Sequence, residues 1–302
     1  MNREGQAHLP VLADEVTFLL RPRRGGWVVD GTVGMGGHAE RLLEAADAGT
    51  RLLGIDRDPG ALTRAGERLA RFGDRAVLRH GSFRHIGAHA DAAGISEASA
   101  ILLDLGLSSY QLEGSGRGFS FLADEALDMR FDPTRGPTAA ELLRSLPAEE
   151  LGRILFEYGE ERHARRIARR IAERRRRSPL TRTGDLVAVV KAAVPRAAWP
   201  KRIHVATRTF QALRMAVNDE LAALGEALPE AARLLGRGGR LAVISFHSGE
   251  DRIVKRSFRF LEEGGGFHGL EPAPIAPSSE EVEDNPRARS AKLRVLERLE
   301  AE

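Results

Sequence analysis

Residues 27–43 read WVVDGTVGMGGHAERLL, and this stretch carries the clearest indication of the fold. A short apolar run ends in Asp30, a glycine-rich turn follows it, and helical residues begin after His38. Glycines at a strand-to-helix turn allow the backbone to approach a ligand closely and to adopt positive φ angles. The stretch therefore predicts a β-strand, a ligand-binding turn and a helix, with a tight turn that binds nothing as the alternative.

The pattern of an apolar run that ends in an acid recurs along the chain. Residues 51–56 end in Asp56 and residues 100–104 end in Asp104, and strand character returns at residues 239–246 and 292–296. Short apolar strands that alternate with helical stretches of about 10–15 residues are typical of βαβ units and a parallel sheet. We therefore predict an α/β fold with a doubly wound, Rossmann-like sheet.

The middle of the chain has a different character. From residue 113 to residue 200 there is no comparable strand, and helical segments are separated by Pro179, Pro195 and Pro200. We predict that residues 1–112 and 205–302 form the two parts of the sheet domain. Residues 113–204 are predicted to be an inserted all-helical domain for substrate recognition, and residues 271–286 to be a surface loop.

Composition excludes several classes of protein. The 302 residues are 42% hydrophobic, with 46 basic and 43 acidic side chains and no cysteine. The absence of cysteine excludes disulfide bonds, thiolate metal sites and a cysteine nucleophile. The formal net charge is +3 but the sequence pI is about 9.6, because the excess bases are mostly arginine, which permits a nucleic-acid partner without requiring one.

Nothing in the sequence indicates a membrane. No apolar run approaches the roughly 18–20 residues of a membrane span. The start, MNREGQAHLP, lacks the apolar core of a signal peptide. We expect a cytoplasmic protein.

The acids around the glycine turn indicate the ligand. Asp30, directly before the glycines, would repel a pyrophosphate and so disfavours NAD, whereas it suits the positive sulfonium and ammonium groups of S-adenosylmethionine. Asp56 follows Gly36 by twenty residues, at a strand end where an acid can accept hydrogen bonds from a ribose. Phe83, after the next strand end, is placed to cover an adenine, although an aromatic in a loop also serves for packing.

Residues 104–107 depart from a known signature. Methyltransferases that act on exocyclic amino groups often carry Asn/Asp-Pro-Pro-aromatic at this strand end, and here the sequence is Asp-Leu-Gly-Leu. The signature is incomplete and does not by itself indicate an amino-methyltransferase.

Nine motifs in order resemble one family, the bacterial 16S ribosomal RNA cytosine-N4 methyltransferases (small-subunit methyltransferase H). They are residues 8–12, 30–38, 104–109, 117–121, 127–130, 158–161, 206–211, 245–248 and 285–290. The resemblance implies methyl transfer from S-adenosylmethionine to N4 of a cytidine in the decoding region of 16S rRNA, with the small ribosomal subunit as the expected context. It also implies that the cofactor is contacted by Gly36, Gly37, His38, Asp56, Phe83, Asp104 and Gln111. Tyr110, where the family usually has proline, and Gly249, where it usually has leucine, are departures.

The chemistry of the reaction suggests catalytic residues. The N4 lone pair of cytosine is delocalised into the ring, so a group that accepts a hydrogen bond from N4–H would favour attack on the methyl group. Asp104, Ser108 and backbone carbonyls near Leu105 are the candidates, and in the alternative interpretation Asp104 binds the cofactor alone. This chemistry requires no metal.

Four histidines could suggest a metal site. His38, His80, His85 and His89 have a spacing that fits no standard cluster, and we interpret them as ordinary loop or surface residues.

Arginines are concentrated in the predicted insertion, from Arg162 to Arg177. We predict that Arg174, Arg175, Arg176 and Arg177 bind the RNA backbone, with a solvated face as the alternative. An aromatic side chain could stack on an extruded base, and the candidates are Phe119, Phe121, Tyr158 and Trp199.

Two rival functions stay open. One is a DNA amino-methyltransferase, which the incomplete signature at residues 104–107 disfavours. The other is an RNA- or nucleotide-binding protein with a vestigial site. The sequence leaves the oligomeric state open, and a homodimer is compatible with it.

Overall fold

The computed structural model describes residues 10–22 and 25–300, apart from the side chain of Glu113. Residues 1–9 lie outside this range. They include His8 and Leu9 of the first motif and most of the start MNREGQAHLP. The chain forms two compact units. One comprises the residues up to Ser108 together with those from Leu221 onward, and the other comprises Ser109–Glu220.

The elements are numbered in chain order. The strands are β1 (Trp27–Asp30), β2 (Arg51–Asp56), β3 (Ala76–His80), β4 (Ala98–Asp104), β5 (Leu235–Ser245), β6 (Phe267–Gly269) and β7 (Lys292–Arg298). The helices are α1 (Ala13–Leu20), α2 (Gly37–Ala45), α3 (Pro59–Leu69), α4 (Ile86–Asp91), α5 (Ser109–Glu113), α6 (Ala139–Ser145), α7 (Ala148–Glu157), α8 (Ala164–Arg175), α9 (Thr183–Ala193), α10 (Thr207–Asn218), α11 (Glu220–Leu234), α12 (Ser248–Glu263) and α13 (Ser279–Asp284). Short 3₁₀ turns occur at Ala70–Arg75, Phe83–His85, Arg196–Ala198 and Pro286–Ser290.

The first unit is built on a seven-stranded sheet of order β3-β2-β1-β4-β5-β7-β6. Strands β1 to β5 are parallel, whereas β7 runs antiparallel to both β5 and β6. The chain order reverses at β1, from which β2 and β3 extend to one side and β4 and β5 to the other. This is a doubly wound, Rossmann-like sheet, so the predicted fold class is confirmed, with an all-helical unit inserted between β4 and β5.

Both faces of the central strands are buried, which explains why they appear in the sequence as unbroken apolar runs. Val29, Ile101 and Val243 contribute to one hydrophobic cluster, which α11 and α12 cover. Alternate residues such as Leu102 and Ile244 point to the opposite cluster, which contains residues of α1 and α2.

The helical unit extends further along the chain than the sequence predicted. It ends at Glu220 rather than at residue 204, because α10 packs on α6 and α7. The buried amide of Asn218 attaches α10 to this unit, since its Oδ1 accepts from the Phe131 amide at 2.8 Å and its Nδ2 donates to the Met129 carbonyl at 2.7 Å. These contacts span almost ninety residues of chain and leave no local pattern in the sequence.

Two short elements were not predicted. Strand β6 has only three residues and is defined by its pairing with β7. The predicted loop at residues 271–286 contains α13, which Ser278 caps by accepting a hydrogen bond from the Glu281 amide at 3.1 Å. Ile275 also pairs with Leu293 of β7, so this segment is attached to the sheet.

Within the described ranges, no helix has both the length and the apolar character needed to cross a bilayer.

Candidate active site

Three carboxylates lie at the carboxyl edge of the parallel sheet. Asp30, Asp56 and Asp104 are the last residues of β1, β2 and β4, and β1 is hydrogen-bonded to both of its neighbours. Ligands of doubly wound sheets bind at this edge, where the chain order reverses. Asp30 is fully buried, whereas Asp56 and Asp104 are half-buried.

The glycine-rich turn (residues 31–37) is packed tightly between these strand ends. The Gly31 amide donates to the Leu102 carbonyl at 2.9 Å, and a Cβ added at Gly31 would lie only 2.5 Å from the Leu103 side chain. Gly36 has a φ of 82°, which a residue with a side chain rarely adopts. The turn therefore requires glycine for close approach at one position and for backbone conformation at another.

Asp56 holds the turn from the β2 side. Its Oδ2 accepts from the Gly34 amide at 2.8 Å and its Oδ1 accepts from the Asp58 amide at 2.8 Å. Burial raises the pKa of Asp56 to about 6, although these backbone hydrogen bonds oppose the shift. Each carboxylate oxygen has a second lone pair, so Asp56 keeps the capacity to accept a ribose hydroxyl.

Thr32 connects the other two acids, and sequence reasoning did not identify it. Its hydroxyl oxygen accepts from the Asp104 amide at 2.6 Å and lies 3.5 Å from Asp30 Oδ1, which also accepts from the Thr32 amide at 3.1 Å. The local sequence signal for Thr32 is its position two residues after Asp30, because an aspartate commonly accepts a hydrogen bond from the residue two positions later.

His38 and Asp104 lie close together at the carboxyl edge. The His38 Nε2 atom lies 3.5 Å from Asp104 Oδ2, which is ion-pair range but lacks hydrogen-bond alignment. Both ring nitrogens of His38 and the Oδ1 atom of Asp104 are buried without a hydrogen-bond partner. Buried polar atoms are normally paired, so three unpaired atoms grouped at this edge indicate a place for a polar ligand.

The electrostatics of the edge favour a cation. Burial raises the pKa of Asp30 to about 7; His38 opposes this shift, and the charges of Asp104 and Asp56 add to it. Acids in a low-dielectric site disfavour each other's ionisation, and a bound positive group relieves that cost. The residues present therefore fit S-adenosylmethionine, whose sulfonium and ammonium groups are both positive.

Other residues predicted from the sequence also lie near the glycine-rich turn. Phe83 is half-buried at the start of a 3₁₀ turn after β3, and its Cβ lies 3.1 Å from the position of a Cβ added at Gly31. Ser108 Cβ lies 3.9 Å from the corresponding position at Gly34. Gln111 belongs to α5 in the helical unit, where it is buried, and its contact with the cofactor stays a prediction.

The four arginines predicted to bind RNA divide into two pairs. Arg174 donates to the Ser178 carbonyl at 2.8 Å, and Arg175 donates to the carbonyls of Leu143 and Leu146 at 2.6 and 2.7 Å. These two side chains therefore satisfy backbone carbonyls near the C-terminal ends of helices α8 and α6. Arg176 and Arg177 are exposed.

The exposed face of α8 carries more positive charge than those two residues. Its exposed side chains within the helix are Arg165, Arg166, Arg169, Arg170 and Glu173. Glu173 pairs with Arg170 at 3.1 Å. The buried residues of α8 are Ala164, Ile167, Ala168 and Ile171, which recur at helical spacing.

Two of the aromatic candidates for base stacking have ring partners inside the helical unit. Phe119 stacks on Phe131 with the ring centroids 5.6 Å apart. Phe121 contacts the rings of His204 and Phe210.

The remaining candidates have other positions. Trp199 donates its indole N–H to the Val194 carbonyl at 3.1 Å. Tyr158 is half-buried at the end of α7.

A Rossmann-like sheet with a glycine-rich turn and an acidic edge defines an S-adenosylmethionine-dependent methyltransferase. The chain belongs to the MraW methylase family, whose model matches residues 5–299.

Curated relatives cover almost the whole chain. The ribosomal RNA small subunit methyltransferase H of Heliobacterium modesticaldum is 49% identical over 310 residues, which span 97% of this chain and 98% of the relative. The protein of the same name from Geobacter sulfurreducens is 49% identical over 308 residues, spanning 97% and 99%. Among solved structures, an rRNA methylase from Streptococcus thermophilus aligns with a TM-score of 0.45 at 12% identity, over 95% of this chain and 94% of that one.

Proposed function

We propose that this protein transfers a methyl group from S-adenosylmethionine to N4 of a cytidine in the decoding region of 16S rRNA. The observation that carries the proposal is the group of buried, unpaired polar atoms on His38 and Asp104 at the carboxyl edge, beside the glycine-rich turn. Support for the RNA comes from the relatives, whose names describe methyltransferases of the small-subunit ribosomal RNA.

The geometry of the edge supports the predicted set of cofactor-binding residues. When bound, S-adenosylmethionine supplies an electrophilic methyl group on a positive sulfur. Gly36 and Gly37 allow its close approach, and Asp56 accepts hydrogen bonds from its ribose. Phe83 covers the adenine from the end of β3, and Gln111 is a further predicted contact.

Asp104 acts on the target amino group. Its side chain is 27% exposed, so the carboxylate can reach a base at this edge and accept a hydrogen bond from N4–H. That hydrogen bond increases electron density on N4 during attack and stabilises the positive charge that forms on the nitrogen. Ser108 is the second candidate acceptor, because it lies beside the same turn.

The RNA contacts come from the helical unit. The exposed arginines of α8, together with Arg176 and Arg177, form a positive face that can follow a phosphate backbone. We propose that the substrate is rRNA within the small ribosomal subunit and that the reaction takes place in the cytoplasm.

A methyl-transfer assay tests the proposal. Purified protein and radiolabelled S-adenosylmethionine are incubated with small ribosomal subunits, free 16S rRNA and DNA, and labelled nucleosides are identified by mass spectrometry. We expect N4-methylcytidine at one position of 16S rRNA. Label in DNA would instead indicate a DNA amino-methyltransferase, and RNA binding without transfer would indicate a vestigial site.

A further inference from the structure

The end of β5 places an aromatic residue beside Asp104. Ile244 lies opposite Asp104 in the pairing of β5 with β4, and the Leu105 amide donates to the Ile244 carbonyl at 3.0 Å. Phe246 follows Ile244 by two residues and packs on the hydrophobic cluster that contains Ile244. Because side chains alternate along a strand, Phe246 and Asp104 belong to one face of the sheet.

The Phe246 ring lies against the loop that follows Asp104. A Cβ added at Gly106 would lie 3.5 Å from Cδ2 and 3.9 Å from Cε2 of Phe246. Phe246 is half-buried, so part of its ring stays accessible at the carboxyl edge. The four residues from Asp104 to Leu107, where amino-methyltransferases often carry an aromatic, contain none.

A pair of residues at the start of α12 holds Phe246 in place. Glu250 is buried, and its Oε2 accepts from the Phe246 amide at 2.8 Å. Its Oε1 lies 3.1 Å from His247 Nε2, and the Glu250 amide donates to His247 Nδ1 at 3.3 Å. The backbone of Phe246 is therefore held in place before any ligand binds. The sequence motif at residues 245–248 has no other role in the proposed reaction.

The order of the strands defines the side from which the base arrives. β4 lies between β1 and β5, and the glycine-rich turn and His38 follow β1. A cofactor on the glycine-rich turn occupies the β1 side of Asp104. A cytosine whose N4 reaches Asp104 can then approach from the β5 side, where Phe246 lies.

We infer that Phe246 stacks on the target cytosine and supplies from β5 the aromatic surface that residues 104–107 lack. This inference rests on the proposed function. It makes Phe246 a residue that positions the substrate base, held in place by Glu250 and His247.

Substitutions at Phe246 test this role. The variants are Phe246→Leu and Phe246→Tyr, and the control is Phe72→Leu. Phe72 packs on the same hydrophobic cluster as Phe246. It lies in the 3₁₀ turn before β3, the outermost strand on the far side of β1 from β5. Methyl transfer to small subunits or 16S rRNA gives kcat and KM, calorimetry gives the cofactor Kd, and thermal unfolding reports folding.

We expect Phe246→Leu to lower kcat/KM for the RNA by about tenfold to a hundredfold, which is the range for loss of one base–aromatic stack. Phe246→Tyr should retain most activity because it keeps the ring. Phe72→Leu should match the wild type in kcat/KM, and all three variants should bind S-adenosylmethionine as the wild type does.

Three results would overturn the role of Phe246 while leaving the proposed function intact. They are full activity of Phe246→Leu, equal impairment of Phe246→Tyr and Phe246→Leu, and a loss of activity that follows a loss of cofactor affinity. A wild-type protein that transfers no methyl group to cytidine N4 would instead refute the proposed function, and the role of Phe246 with it.

Discussion

His38 Nε2 lies 3.5 Å from Asp104 Oδ2, so the first turn of α2 meets the end of β4 over the glycine-rich turn. One carboxylate oxygen of Asp104 thus lies close to the His38 ring. The other oxygen, Oδ1, is buried without a partner. We therefore expect Asp104 to contact the cofactor, the target amino group or both, and a substitution can distinguish these roles.

Asp104→Asn should separate chemistry from cofactor binding. If Asp104 accepts the hydrogen bond from N4–H, kcat should fall even at saturating S-adenosylmethionine, because an interaction made in the transition state is lost. If Asp104 holds only the cofactor, the apparent KM for S-adenosylmethionine should rise and saturation should restore the rate. Steady-state kinetics distinguish the two outcomes. Asp91→Asn, at an exposed aspartate of α4, is the matched control.

Asp56→Ala should weaken S-adenosylmethionine binding by about 10- to 100-fold, because hydrogen bonds to a charged group contribute roughly 1.5–3 kcal/mol. The substitution also removes the acceptor for the Gly34 amide, so the glycine-rich turn loses its support from β2. Calorimetry measures the affinity, and Asp74→Ala, at an exposed aspartate, should bind normally. Unchanged affinity in a folded Asp56→Ala protein would remove Asp56 from the cofactor site.

Asp30→Asn should change how stability depends on pH. The pKa of Asp30 is raised from 3.8 to about 7, so between these values the folded protein retains a proton that the unfolded chain releases. Stability of the cofactor-free wild type therefore falls as pH rises through this range. Asparagine keeps an oxygen for the Thr32 amide but carries no charge, so the variant should gain up to about 4 kcal/mol relative to the wild type at pH above 7.

Urea unfolding near pH 4 and near pH 8, without cofactor, checks the Asp30 prediction. The gain from Asp30→Asn should be small near pH 4, where the wild-type carboxyl is protonated in the folded state. The pKa of Asp56 is also raised, to about 6, so a weaker decrease of stability with rising pH should occur in both proteins. An equal difference between the two proteins at both pH values would contradict the burial of a titrating Asp30.

Substitutions in the arginine-rich segment should have effects that depend on position. RNA binding weakens with salt, and the slope of log binding constant against log salt concentration measures this effect. Arg176→Gln with Arg177→Gln should lower the magnitude of that slope by up to about 1.4, because each phosphate contact contributes about 0.7 on single-stranded RNA. Arg175→Gln should instead lower thermal stability, because it removes the donor to two carbonyls near the end of α6.

The control for the arginine substitutions is Arg256→Gln with Arg259→Gln, an exposed pair on α12 that removes the same charge. Filter binding over a range of salt concentrations gives the slopes. An identical decrease for both double variants would indicate an effect of net charge rather than contact by Arg176 and Arg177.

Much of the fold could be predicted because its signals are local. The strand ending in Asp30, the glycine-rich turn and the helix after it follow from residues that are adjacent in the chain, and the turn chemistry is visible in the residue types. The acids at residues 56 and 104 could be assigned to the same edge because parallel strands place their carboxyl ends together.

The tertiary structure alone decided which side chains meet. Thr32 contacts Asp104 across 72 residues of chain, Asn218 attaches α10 to the helical unit, and Arg175 is occupied by carbonyls near the end of α6. Phe246 lies beside Asp104 only because β5 pairs with β4 in the observed register. Local sequence sets backbone preference and the alternation of faces, whereas these pairings depend on how distant segments pack, and no residue pattern within one segment encodes its partner.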